Sequence, residues 1–202
     1  MPPCAERARL YRLLARPLHQ SGQEDWDDLC SGSWAGEVQA ALDALGIPLT
    51  APRELCPRTV EQAEREHYQA FVAPGRSLKP IESVHKPWTT DPEAELPIAH
   101  QKGWLGGDPS AHLQTLYESC GIGIPDELAH APDHLALELE VMALLIEQGT
   151  PESASLFRSQ HLDWVQEFAA EAAGAEVSAF YRALAALTAA FIAADGQGAP
   201  AR

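Results

Sequence analysis

Residues 132–148, PDHLALELEVMALLIEQ, decide the fold. After the first three positions, apolar side chains from Leu135 to Ile146 occupy nearly every side of a helical projection. A helix that is apolar almost all round is normally buried in a protein core. We therefore expect a helix from about Pro132 to about Gln148 at the centre of the molecule, with other helices packed around it.

The rest of the chain also predicts helices, because Ala, Leu, Glu, Gln and Arg dominate its segments and alternating runs of β-branched residues are missing. Proline and glycine mark the ends of these segments. Asp108 and Thr150 are suited to helix N-caps, and Pro57 is suited to a first helical turn. The sequence predicts an all-α fold of about seven or more helices. The further helices are expected at residues 5–15, 34–45, 57–72, 108–120, 151–168 and 176–194.

One domain accounts for most of the chain. No internal repeat of about 20–50 residues is present, so a solenoid is not indicated. We expect a single helical domain over residues 1–195 and a flexible tail over 196–202. Residues 73–107 hold five prolines and are predicted to be a long loop or hinge. A loop of this length inside a compact domain is usually functional or mobile.

Charge and cysteine content exclude several classes of partner. The 202 residues include 29 acidic and 14 basic side chains, for a formal net charge of -15. Such a charge repels phosphate backbones and favours a cationic partner, so we expect no nucleic-acid binding. Cysteines occur at positions 4, 30, 56 and 120 without a C-x-x-C pair, which argues against a zinc or iron–sulfur site.

The expected location is the cytoplasm. No apolar run approaches the roughly 20 residues that a bilayer requires, so we expect no stable membrane insertion. The N-terminal residues lead into an arginine-bearing amphipathic segment without a long apolar core. No signal peptide is visible.

Evidence for catalytic chemistry is weak. The glycine-rich stretch at residues 103–108 lacks the Lys-Ser/Thr ending of a phosphate-binding loop. His130, His134 and Glu138 are spaced so that they could bind a metal on one helix face, but the matching Glu-x-x-His of a di-iron bundle is missing. His67 and His161 are isolated on other helices. A metal-dependent helical enzyme stays an alternative, although we expect no catalytic residues, metal or cofactor.

Peptide recognition is the other interpretation of the same region. A carboxylate and an imidazole at Asp133 and His134, at the mouth of an apolar helix, suit a cationic and apolar peptide. Asp133 could equally be only an N-cap. Tyr68 and Phe71 lie three apart, hence on one helix face, just before the proline-rich loop.

Four segments resemble one known family. The first, Asp133-His134 with Glu138 and Met142, resembles the D-H-x-x-x-E-x-x-x-M region of the TorD/DmsD/NarJ-like redox-enzyme maturation chaperones. The others are similar to that family's aromatic-x-x-Leu-Phe motif, its Pro-x-Glu-Ser loop and its C-terminal third, in the same order. The matching segments in this chain, in the order of those three motifs, are Tyr68-x-x-Phe71-Val72, Pro80-Ile-Glu82-Ser83-Val84, and Phe157-x-x-x-His161-Leu162-x-Trp164 followed by Phe180-Tyr181.

The resemblance implies a cytoplasmic, all-helical chaperone without catalytic activity. It would bind a molybdoenzyme catalytic subunit, often through its twin-arginine leader, until the molybdopterin cofactor is inserted. A monomer and a homodimer are both compatible, and a structural subunit of a membrane redox complex stays an alternative. One departure is Phe71-Val72 in place of Leu-Phe, which moves the bulky aromatic by one position. The implied peptide-binding residues are Tyr68, Phe71, Glu82, Ser83, Asp133 and His134.

Overall fold

The computed structural model describes residues 3–19, 22–75 and 77–197. These residues form α-helices and short turns, and only one isolated bridge, between Ile81 and His134, resembles β-pairing among them. The all-α prediction is confirmed. The helices are α1 (Pro3–Ala15), α2 (Gln23–Ser31), α3 (Ser33–Leu45), α4 (Val60–His67), α5 (Glu82–His85), α6 (Gly107–Cys120), α7 (Leu135–Gln148), α8 (Pro151–His161), α9 (Val165–Gly174) and α10 (Ala179–Gly196).

Helix α7 lies at the centre, as its composition predicts. Leu135, Leu139 and Met142 are completely buried, and α1 packs along α7 while also contacting α3. The indole of Trp34 in α3 donates to the carbonyl oxygen of Leu13 in α1 at 2.7 Å, which fixes that second contact. A single core therefore runs through α1, α3 and α7.

Helix α10 closes the other side of the core. The ring of Phe191 packs 4.8 Å from that of Tyr11 in α1. The buried carboxylate of Asp195 accepts from the Tyr11 hydroxyl at 3.0 Å, and from Arg7 and Arg158 at 2.6 and 3.2 Å. One carboxylate thus joins α1, α8 and α10.

The same helix bears on membrane association. By length and composition α10 could cross a membrane, although Arg182 and Asp195 interrupt its apolar residues. More than half of the helix is buried inside the protein, and the core helix of a soluble protein passes the same test. The composition of α10 is therefore weak evidence of insertion.

Several predicted helix boundaries are wrong. Helix α2 is absent from the predicted set, and the helix expected from Pro57 begins at Val60 with Thr59 as its N-cap. Asp108 does not cap α6, because α6 begins at Gly107 and the Asp108 carboxylate accepts from Thr89.

Near the C-terminus, the single helix expected over 151–168 is two helices, α8 and α9. Thr150 does cap α8, and its side chain accepts from the Ser153 amide, as predicted. The last helix begins at Ala179 rather than about residue 176. Gly196, the first residue of the predicted tail, belongs to α10, and Gln197 forms a turn. Residues 198–202 lie outside the described residues.

The described residues between 73 and 107 are largely irregular, and α5 forms one turn among them. It packs on the helices rather than standing apart. Gly107 approaches the backbone of Trp88 so closely that an added Cβ would lie 2.0 Å from the Trp88 carbonyl oxygen, and its φ is +76°. Only glycine fits at this junction.

Candidate functional site

Backbone hydrogen bonds join the Pro80–Ser83 segment to the start of α7. The Leu135 amide donates to the Pro80 carbonyl at 2.8 Å, and the Glu82 amide donates to the Asp133 carbonyl at 2.9 Å. These two bonds flank the antiparallel bridge between Ile81 and His134. Two of the predicted segments, about 50 residues apart in sequence, are therefore held side by side.

The Asp133 carboxylate strengthens this junction. Its Oδ2 accepts from the Ser83 amide at 2.8 Å, and both residues are almost completely buried. Burial raises the pKa of Asp133, although the bonds with Ser83 oppose the rise. The N-cap interpretation of Asp133 is wrong, because His134 caps α7 by accepting the Ala136 amide on Nδ1 at 3.2 Å.

His134 itself is held in the neutral state. The residue is 8% exposed, and burial lowers its pKa to about 3, with positive charge on neighbouring histidines acting in the same direction. A neutral ring is required for capping, because an imidazole accepts a hydrogen bond only on an unprotonated nitrogen. His134 therefore acts here as a helix cap.

Glu82 connects the same loop to α8 and α6. Its carboxylate is 1% exposed, with Oε2 lying 2.8 Å from His161 Nδ1 and Oε1 2.7 Å from Lys86 Nζ. The other ring nitrogen of His161 lies 2.9 Å from Nδ1 of His112. Lys86 and His161 therefore lie within hydrogen-bond distance of the two Glu82 oxygens, so that both buried oxygens have a polar partner.

Glu138 adds a third buried carboxyl group. Its Oε2 accepts from the indole of Trp164 at 3.1 Å, whereas Oε1 has no partner. Burial, with the negative charges of Glu82 and Asp133, raises its pKa well above the usual value. Asp133 Oδ1 and the Tyr117 hydroxyl also lack partners. A protonated Glu138 keeps the total buried charge low.

Tyr68 and Phe71 occupy the outer side of the site. Residues Tyr68–Val72 form a π-helical turn after α4, whose Ala70 carbonyl accepts from the Leu78 amide at 2.7 Å. The side chain of Tyr68 is about half exposed, whereas Phe71 packs 4.9 Å from the ring of Tyr181. The Phe71 ring therefore lies inward, whereas Val72 is exposed.

The structure thus brings four of the six predicted residues into direct contact, namely Glu82, Ser83, Asp133 and His134. It also buries them, so they do not form an open peptide groove. Tyr68 and Phe71 are linked to this junction through the bond between Ala70 and Leu78.

Sequence reasoning missed Lys86, His112, and the partnership of His161 and Trp164 with the loop and α7. The signal was partly present, because His161 and Trp164 lie in the fourth family-like segment. Their spacing along the chain, however, indicates no partner in the loop or in α7. Their contacts define the buried network, by which we mean Glu82, Ser83, Lys86, Asp133, Glu138, His161 and Trp164.

The proposed metal ligands do not come together. His130 is exposed, His134 caps α7, and Glu138 faces Trp164. Among the described residues, no group of three or more His, Cys, Asp or Glu side chains is arranged to hold a metal ion. The geometry therefore gives the metal-dependent enzyme no support.

One large cavity at the described residues does not coincide with this network. Its volume is about 610 Å³, and its lining residues include Arg7, Pro48, Pro151 and Asp195. It shares none of the six predicted residues. A second cavity, of about 330 Å³, adjoins Glu82 and His161.

Comparison with known proteins agrees with the resemblance of the four segments. A family model described as nitrate reductase delta subunit matches residues 32–173. The chaperone protein TorD of Vibrio cholerae serotype O1, strain El Tor Inaba, is 32% identical over 121 residues, covering 52% of this chain and 55% of that protein. TorD of the Classical Ogawa strain is 31% identical over 121 residues, with the same coverage.

The match is partial in length, because the chain spans about half the length of the curated relatives it matches. The relatives are named as chaperones, so the family is one of chaperone proteins and not of enzymes. The family model covers well over half of this chain, from α3 to nearly the end of α9. The chain therefore belongs to the nitrate reductase delta subunit family, which comprises the NarJ/TorD-type chaperones.

Proposed function

We propose that this chain is a cytoplasmic chaperone for the assembly of a molybdopterin-dependent oxidoreductase. It binds the apo catalytic subunit, its twin-arginine leader or both, and assists cofactor insertion before export. It acts as a monomer or homodimer, carries no cofactor, and does not insert stably into a membrane. The family and the TorD relatives support this function.

One observation carries the proposal at residue level. Three family-like segments that are far apart in sequence meet in the buried network, through the Glu82–His161, Ser83–Asp133 and Glu138–Trp164 contacts. The fourth, Tyr68–Val72, is joined to the loop that carries Glu82 by the Leu78–Ala70 backbone bond, and it presents apolar side chains to solvent. A fixed framework beside exposed apolar side chains suits the binding of an unfolded or extended segment.

The network residues take an indirect role in this proposal. Glu82, Ser83, Asp133 and His134 hold the loop in place, whereas Tyr68 contacts the client. Phe71 supports the Tyr68 turn from inside. The net charge of -15 favours encounter with a leader that is basic at one end and apolar beyond it.

Co-purification tests the function and separates it from that of a permanent subunit. The tagged full-length chain is purified from its own cells, and the molybdenum content of any associated oxidoreductase subunit is measured. A chaperone retains the subunit without its cofactor and releases the loaded form. Recovery of a fully loaded, active oxidoreductase in stoichiometric amount would contradict the proposal and favour a structural subunit.

A further inference from the structure

Helix α6 is held to the rest of the protein by few side chains. Of its 14 residues only Leu113 and Tyr117 are buried, and its most extensive helix contact is with the short helix α5. The Tyr117 hydroxyl finds no hydrogen-bond partner among the described residues, so this side chain contributes mainly apolar contact. The few polar contacts of α6 therefore have a large effect on whether it opens locally.

One polar contact joins α6 directly to α8. Nδ1 of His112 lies 2.9 Å from Nε2 of His161, and the centroids of the two rings are 4.8 Å apart. We call this pair of facing nitrogens the histidine contact. It links residues 49 positions apart, so it holds two helices together rather than stabilising either one.

The two rings differ in their freedom to move. His161 is 3% exposed, and its Nδ1 lies 2.8 Å from Glu82 Oε2. The Phe157 ring packs 5.0 Å from the His161 ring, and the His161 carbonyl accepts from the Trp164 indole at 2.7 Å. His112, in contrast, is exposed. If the histidine contact breaks, His161 is therefore retained in place and His112 moves away with α6.

The strength of the histidine contact depends on how many protons the two rings carry. An uncharged pair forms one hydrogen bond, because one facing nitrogen carries a hydrogen and the other accepts it. One added proton keeps this bond and makes it charge-assisted. When both rings are protonated, both facing nitrogens carry hydrogen. No hydrogen bond is then possible, and two like charges lie side by side.

Carboxyl groups around the pair favour its second proton. The charged or ionisable groups that face it are Glu82 of α5 with Lys86 just after that helix, Asp108 of α6, Asp163 after α8, and, behind Glu82, Asp133 and Glu138 at α7. A single ammonium thus stands against several carboxyl groups. A second positive charge on the two rings is therefore partly compensated.

We propose that the histidine contact is a proton-operated latch on α6. It holds α6 against α8 while the two rings share at most one added proton, and it releases α6 when both rings are protonated. Release uncovers Leu113 and Tyr117 and opens the side of the buried network that they cover. Histidine is the side chain that changes charge between pH 5 and 8, so release belongs to the acidic part of that range. The latch does not depend on the proposed function.

Amide hydrogen exchange of the full-length chain, corrected for the intrinsic rate at each pH, measures the release. Helix α7 is the internal reference, because its buried position makes it report changes in global stability. Relative to α7, we expect protection of residues 112–120 to fall about tenfold between pH 7.5 and 5, the equivalent of one charge-assisted hydrogen bond. The proposal is overturned if the protection of α6 and of α7 changes in parallel.

His112→Asn keeps the contact but removes its titration. Asparagine has an amide nitrogen at the position of Nδ1, so it can donate to His161 but cannot take up a proton. Residues 112–120 should stay protected at both pH values, although the surrounding carboxyl groups still titrate. His100→Asn, at an exposed position outside the contact, is the matched control and should behave as the wild type. Equal acid-induced loss of protection in His112→Asn and the wild type would overturn the latch.

His112→Ala decides the matter if asparagine does not make the contact. Without the ring, α6 should be released at both pH values, so its protection relative to α7 should be about tenfold lower than in the wild type at pH 7.5 and should not fall further at pH 5. Wild-type protection of this variant at pH 7.5 would overturn the proposal. A further acid-induced loss as large as that of the wild type would also overturn it, because other groups would then release α6.

Discussion

Replacement of Asp133 tests whether this residue holds the loop or contacts the client. In Asp133→Ala the Ser83 amide, which is fully buried and bonded to Oδ2 at 2.8 Å, loses its acceptor. A buried amide left unpaired costs about 1–3 kcal/mol. Loss of a buried carboxylate offsets part of this cost, because burial raises the pKa of Asp133 and so disfavours its charged form.

We therefore expect Asp133→Ala to lower the free energy of unfolding by about 2 kcal/mol. For a chain of this size that corresponds to a fall in Tm of about 4–8 °C. Urea unfolding followed by circular dichroism measures the change, and calorimetry with a leader peptide measures binding. Asp126→Ala, at an exposed position on the preceding connection, serves as the control for loss of one negative charge.

Asp133→Asn distinguishes the two roles. Asparagine keeps an acceptor for the Ser83 amide but removes the charge, so stability and peptide affinity should both stay close to wild type. If Asp133 paired directly with arginines of the leader, Asp133→Asn would lose as much affinity as Asp133→Ala. Wild-type stability of Asp133→Ala would refute the structural role altogether.

Three further variants test other parts of the structure. Asp195→Ala leaves Arg7 and Arg158 without their shared partner and should lower the free energy of unfolding in urea by about 3 kcal/mol. An unchanged midpoint of the urea transition would contradict the role of Asp195 in joining α1, α8 and α10. Glu138→Gln keeps an acceptor for Trp164 and removes a carboxyl whose pKa is raised, so stability at neutral pH should not fall, whereas a clear loss would indicate a required charge. Burial lowers the pKa of His67 to about 4 in the folded protein. Between pH about 6.5 and 4 the imidazole therefore takes up a proton mainly in the unfolded chain, so the free energy of unfolding decreases as the pH falls. His67→Phe should recover about 2 kcal/mol of the loss between pH 7 and 5, and an identical pH profile would contradict this account.

The central helix could be predicted from sequence because the composition of its own residues indicates that it is buried. Apolar residues on all sides of α7 leave no polar face for solvent, and Leu139 and Met142 are completely buried. The start of α8 could also be predicted from neighbouring residues alone, since Thr150 and Pro151 occupy adjacent cap and first-turn positions. Signals within one or two helical turns were sufficient for these elements.

Helix α2 could not be predicted in the same way. Four of the nine residues in its sequence, QEDWDDLCS, are acidic, and only Trp26 and Leu29 are buried. Two apolar residues in nine do not define a helical period. Contacts with α3 and α4 stabilise this segment, and those contacts depend on the tertiary fold.

The residues of the candidate site were recognised, but their roles were not. Glu82 and His161 are 79 positions apart and were assigned to separate segments, although their side chains lie 2.8 Å apart. Asp108 is of a residue type that often caps helices, yet its carboxylate accepts a hydrogen bond from Thr89 in the preceding loop. Spacing along the chain gives no information about such distant partners, whereas the structure gives them directly.

Calorimetry on the full-length chain tests the central claim most directly. A leader peptide from the associated molybdopterin-dependent oxidoreductase is titrated into the wild type, Tyr68→Ala and Leu156→Ala. Tyr68 and Leu156 are both exposed by about half, but only Tyr68 belongs to the turn that is proposed to contact the client. We predict saturable binding to the wild type and Leu156→Ala, with about tenfold weaker binding to Tyr68→Ala at unchanged Tm. Equal affinity for all three proteins, or no binding of either the peptide or the apo subunit, would contradict the account.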